Sequence, residues 1–227
     1  MAKKKDDTIV DVAQAYSKTE SFINENGKTI LMVLGAALVI GVGYGLFKNF
    51  VQKPKVDNAA AEIWKSQYYL AQNNDTLALQ GDGEYMGLYE VAESYDGTPS
   101  ADIANYTIGV THLQDEEFEE AIDFLEKASF DDVALEAVRL GALGDAHIEL
   151  DDFDTGISFY DKALEHGAND FTTPIYLYKK GLCCEEIGNY DCALSSYNRI
   201  LLDHHASTQG RNIAKNIARV EAKIATQ

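Results

Sequence analysis

Few residues in this 227-residue chain have the types that covalent, metal or acid–base chemistry needs. The three cysteines, Cys183, Cys184 and Cys192, fall within one short region. They are too few for a disulfide framework and lack nearby histidines at metal-ligand spacing. A bridge from Cys183 or Cys184 to Cys192 would cross a helix pair if geometry brought the Cα atoms within about 7 Å. Cys184 also stands on a helix-face position that a buried residue normally fills, a common place for a free cysteine. His204 and His205 are adjacent rather than spaced for ligation and read as a solvated turn. There is no G-x-x-x-x-G-K-[ST] and no H-E-x-x-H, and no motif places a Ser/His/Asp or Cys/His group. The chain is therefore expected to be no enzyme and to need no cofactor and no metal. What remains is recognition by carboxylates, aromatics and apolar side chains at regular intervals.

The elements that must position those residues repeat. Residues 105–128 hold Gly109, Phe118, Ala121 and Ala128; residues 140–163 hold Gly144, Phe153, Gly156 and Ala163; residues 177–200 hold Gly181, Tyr190, Ala193 and Ile200. The glycines are 35 and 37 residues apart. A period of about 34, with a small residue in each helix and an aromatic between them, is the tetratricopeptide signature. Close packing explains it: the small residue of the first helix meets that of the second, and the aromatic plugs the turn. Three repeats are expected over 101–205, closed by a polar capping helix over 206–227, within which 206–226 are helical, as a solenoid end requires. In the geometry of such repeats each first helix lines a concave groove. That places there Ile103, Tyr106, Val110 and Leu113, then Val138, Asp145, Ile148 and Glu149, then Ile175, Tyr178, Leu182, Glu185 and Glu186. The groove would suit extended or helical peptides with apolar side chains and some positive charge. The acidic turns DEEFEE and ELDDFD read as solvated.

Ahead of the repeats, residues 29–47 (TILMVLGAALVIGVGYGLF) carry no charge and are fenced by Lys28 and Lys48. Nineteen residues at a helical rise of 1.5 Å reach roughly 28 Å, close to the hydrocarbon thickness of a bilayer. A single transmembrane helix over 29–50 follows, since a signal peptide has a shorter apolar core nearer the terminus. Gly41, Gly43 and Gly45 fit the small-residue spacing that lets a second membrane helix approach. In the head, 1–28, Ile9, Val12, Ala13, Tyr16 and Phe22 fall at helical spacing and suggest a short amphipathic helix. After the span, Pro54 is expected to break the helix within a short linker. Helices over 57–72, 75–80 and 84–95 then form a divergent capping unit inside 51–100. Residues 1–55 carry net +3 and residues 56–227 net −21. The acidic part is a poor match for nucleic acid or anionic lipid. Lysine counts on the two sides of the span do not fix its orientation. The fold expected is all-α: one N-terminal transmembrane helix followed by a tetratricopeptide solenoid.

The stretch SFINENGKTILMVLGAALVIGVGYG, in which Phe22, Asn26, Gly27 and Lys28 precede the glycine-spaced span, leads into an alanine-rich helix with Trp64. With that arrangement the chain resembles the YfgM family of bacterial inner-membrane proteins. The resemblance implies a cytoplasmic head and a periplasmic repeat domain. It also implies association with the SecYEG translocon and the membrane-anchored chaperone PpiD, and through them with newly exported polypeptides. The residues alone leave open a scaffold for another envelope machine, such as outer-membrane assembly or division.

Overall fold

An uninterrupted run of helix-compatible residues makes one long helix in the computed structural model, which describes residues 7–226. Helix α1 (Asp7–Phe47) has 41 residues, so the expected head helix and span are a single element. No break separates them: the Asn26 side-chain amide donates to the Phe22 carbonyl one turn back, 3.0 Å away, alongside the helical ladder. Leu31, Leu34, Leu38 and Ile40 are all more than half exposed along it. This helix is long and apolar enough to cross a membrane. Lys3, Lys4 and Lys5 lie outside the described residues.

Pro54 does not end the helix. Residues Lys48–Gln52 form a π turn, in which the Lys53 amide donates to the Lys48 carbonyl five residues back. The wider turn accommodates a proline that lacks an N–H, and α2 (Lys53–Leu70) continues from it. Asp57 is therefore interior to α2 rather than its cap.

The chain divides into two units, Met1–Pro54 and Lys55–Gln227. The second begins inside α2, at Lys55, and continues with α3 (Asp75–Gln80) and α4 (Leu88–Ser94). The expected third helix starts four residues late because residues 81–87 fold as a tight loop. There the Asp82 carboxylate accepts the Tyr69 hydroxyl and the Glu84 and Tyr85 amides. These bonds, Tyr69 first, hold its carboxyl down at about 2. Gly81, at φ +82°, can carry no side chain, because a Cβ would meet the Gly87 amide at 2.8 Å. Ile63, Leu88 and Val91 bury against Ala104 and Ile108 of the next helix.

Three antiparallel pairs follow: α5 (Pro99–Gln114) with α6 (Phe118–Lys127), α7 (Val133–Glu149) with α8 (Phe153–His166), and α9 (Thr173–Glu186) with α10 (Tyr190–Asp203). Four of the six starts are set by side-chain caps: Thr98, Asp132, Asp152 and Asn189 each accept a backbone N–H of the first turn of α5, α7, α8 and α10. A Cβ on Gly109 would lie 2.7 Å from Leu125 Cγ, and one on Gly144 2.6 Å from the Tyr160 ring. Gly181 faces Tyr197 in the same way. Leu125, Leu143, Tyr197 and Ile200 are fully buried in these contacts, and burying each aliphatic side chain among them contributes about 1.5–3 kcal/mol. The terminal helix is shorter than the expected 206–226. A 3-10 turn at Gly210–Asn212 precedes α11 (Ile213–Ile224), which buries Ile213, Ile217 and Val220.

Candidate binding groove

On α7, residues 145, 148 and 149 share a face by helical spacing, and that face borders an open cavity of about 730 Å³. Leu113 of α5, Phe118 of α6, Ile148 of α7 and Leu182 of α9 supply its apolar lining. Its polar lining includes the carboxylates of Glu116, Asp145 and Glu149 and the ammonium of Lys179. Glu116 reaches the rim from a left-handed turn residue at φ 63°. Asp145 is the organised point: its Oδ1 accepts the Tyr160 hydroxyl at 2.7 Å, and Lys179 Nζ donates to Oδ1 and Oδ2 at 2.7 and 2.6 Å. Burial, followed by the Asp145 charge, pushes the Tyr160 phenol up, so it remains a donor. Burial likewise pushes the Cys183 thiol up to about 11, so this lining residue is protonated and a poor nucleophile.

Leu113, Asp145, Ile148, Glu149 and Leu182 thus come together. The other expected groove residues sit elsewhere. Ile103 is exposed outside the cavity, as is Glu186. Tyr106 packs edge-on against Phe130, and with Val110 it leans on Leu125, Ala142 and Leu143. Val138 is half-buried on α7 outside the lining. Ile175 and Tyr178 pack into the core around Leu177 and Tyr197. Glu185 is buried and accepts Tyr197 at 2.8 Å, Arg219 at 2.6 and 3.0 Å, and Lys223 at 3.3 Å. Burial alone would raise its carboxyl; the bonds from Arg219, Tyr197 and Lys223 outweigh that and bring it to about 2. It is a structural link between α9 and α11.

Phe118, Tyr160 and Lys179 line the cavity without having been expected there from spacing. Tyr160 could have been found by register, since it follows Gly144 by the same sixteen residues that separate Tyr197 from Gly181.

The position three residues after each repeat glycine holds His112, His147 and Cys184. His112 Nδ1 meets Glu117 at 2.5 Å and His147 Nδ1 meets Asp152 at 3.2 Å, each tying a first helix to the turn that follows it. These acidic turns are therefore partnered as well as solvated. In the third pair the tie is covalent: Cys184 and Cys192 form a disulfide with Cα atoms 5.8 Å apart, and Cys183 stays free. His204 is largely buried, 3.3 Å from Asp170, rather than a solvated turn residue. Along α1, Gly41 and Gly45 share one face, whereas Gly43 is rotated about 200° from Gly41. Among the described residues, a Cβ on any of the three would meet nothing within 4 Å apart from its chain neighbours and the local backbone of its own helix.

The tetratricopeptide-repeat family matches residues 103–129 and 139–165, the segments that contain most of α5/α6 and α7/α8. The α9/α10 pair lies beyond the matched residues and repeats the glycine-to-tyrosine contact of α7/α8. Among curated proteins, none matches the chain.

Proposed function

We propose that this tetratricopeptide-repeat protein is a membrane-anchored, non-enzymatic ancillary subunit of the bacterial SecYEG export channel. It acts with a PpiD-type chaperone on newly exported chains. Tetratricopeptide repeats serve as surfaces for other polypeptides, and the observation that carries the reading is the open cavity with apolar walls and carboxylate rim. The apolar α1 gives the anchor. The Cys184–Cys192 disulfide favours an oxidising compartment and hence a periplasmic repeat domain with the head in the cytoplasm. The YfgM resemblance supplies the identity of the machine. On the exposed face of α1 that carries Gly41 and Gly45, the anchor would meet a channel or chaperone helix.

Co-purification from mild detergent tests the assignment. Channel and chaperone subunits should be enriched with the intact chain, and their absence would remove it. Protease added to spheroplasts should digest the repeat domain. A photo-crosslinker at Leu182, which is 40% exposed in the cavity, should capture many client chains. One constant band would instead favour a scaffold of another envelope machine.

A further inference from the structure

We infer that the Asp145 carboxylate is the point at which the cavity recognises an arginine side chain of its bound polypeptide, and that Lys179 occupies this point in the free protein. The inference rests on the groove reading above and specifies its ligand. Lys179 comes from the next helical pair, 34 residues along the chain. Its side chain is 38% exposed and that of Asp145 is 29% exposed, so the contact is open to competition from the cavity. The Tyr160 hydroxyl donates to Oδ1 and helps hold the carboxylate in place. In this arrangement both carboxylate oxygens face a single flexible ammonium, which can swing into water at little cost. A guanidinium matches two carboxylate oxygens with two parallel N–H donors and binds them better than an ammonium does.

The surroundings favour such an exchange. Glu116 and Glu149 line the same cavity and make no ion pair among the described residues. The lining is left acidic after Lys179 is counted, and an incoming cation is attracted while an acidic segment is repelled. Leu113, Phe118 and Leu182 offer apolar contact to the residues that flank the arginine. The occupant is therefore an apolar segment carrying arginine. Glu185 supplies the contrast: its side chain is 7% exposed and already accepts four hydrogen bonds from Tyr197, Arg219 and Lys223, so it is closed to a ligand.

The test uses the full-length protein in detergent and fluorescein-labelled peptides of leucine, alanine and serine with one central arginine, or with glutamine in its place. Anisotropy titrations give the affinities. Lys179→Met keeps the aliphatic stem and should tighten the arginine peptide about tenfold while leaving the glutamine peptide unchanged. Asp145→Asn keeps an acceptor for Tyr160 and should remove most of the arginine peptide's advantage over the glutamine peptide, leaving only the weaker attraction of Glu116 and Glu149. Lys162→Met, outside the cavity lining, should change neither. If both peptides bind equally to the wild type and every variant, or if Lys179→Met weakens the arginine peptide, the inference is wrong and the groove reading stands. If no peptide binds to any variant while thermal melts show folded protein, the groove reading fails with it.

Discussion

The second and third helical pairs carry the same polar circuit in two environments. In each, a tyrosine of the second helix donates to a carboxylate of the first, and a cation 34 residues further on closes the circuit. Around Asp145 the circuit faces the cavity; around Glu185 it is sealed by α11. A buried charge must be satisfied within the protein, which needs Tyr197, Arg219 and Lys223 together. A partly exposed charge can exchange its partner with solvent or ligand. Burial thus separates a structural link from a recognition point built of the same groups.

The sharpest way to break this comparison is to truncate the two carboxylates. Glu185→Ala leaves the hydroxyl of the fully buried Tyr197 without this acceptor and should cost about 2 kcal/mol in urea unfolding, whereas the Tyr160 hydroxyl borders the open cavity and Asp145→Ala should cost about 1 kcal/mol or less. Equal losses would mean that exposure does not distinguish the circuits. Next, the third pair has a covalent tie that the second lacks. Reducing Cys184–Cys192, or replacing both with serine, should lower stability by about 2 kcal/mol, visible as a lower thermal midpoint with dithiothreitol. Acid should weaken the sealed circuit. The Glu185 carboxyl lies at about 2 in the fold against 4.5 when free. Its contribution is full above pH 4.5 and disappears as pH falls toward 2, on the order of 2 kcal/mol. Comparison of Glu185→Gln with wild type across that range should isolate it. The smallest effect concerns the turns: Asp151 sits at φ 60° where the third pair has Gly188 at φ 73°. Asp151→Gly should therefore stabilise by about 0.5 kcal/mol, since it removes a strained side chain.

The all-α class, the paired helices and α3 were legible because they rest on local signals: glycine period, helical spacing and the Gly81–Gly83 break. Two local signals misled. Pro54 reads as a breaker, but a π turn absorbs its missing donor, which composition does not disclose. Glu185 reads as a groove carboxylate because its neutralisation comes from Arg219 and Lys223 on a helix outside the repeat pattern. Of the residues that line the cavity, spacing picks out Leu113, Asp145, Ile148, Glu149 and Leu182. Lys179 escaped because its significance lies in a contact across two repeats.

The 34-residue reach of the Asp145–Lys179 and Glu185–Arg219 links means that the modules are interchangeable in shape but not in charge. Splicing a generic hairpin in place of α9 and α10 would preserve the stacking and strip both links at once, leaving Asp145 and Arg219 without their mates. Any graft, duplication or evolutionary shuffling of this solenoid must therefore carry its ionic rungs along with its glycines.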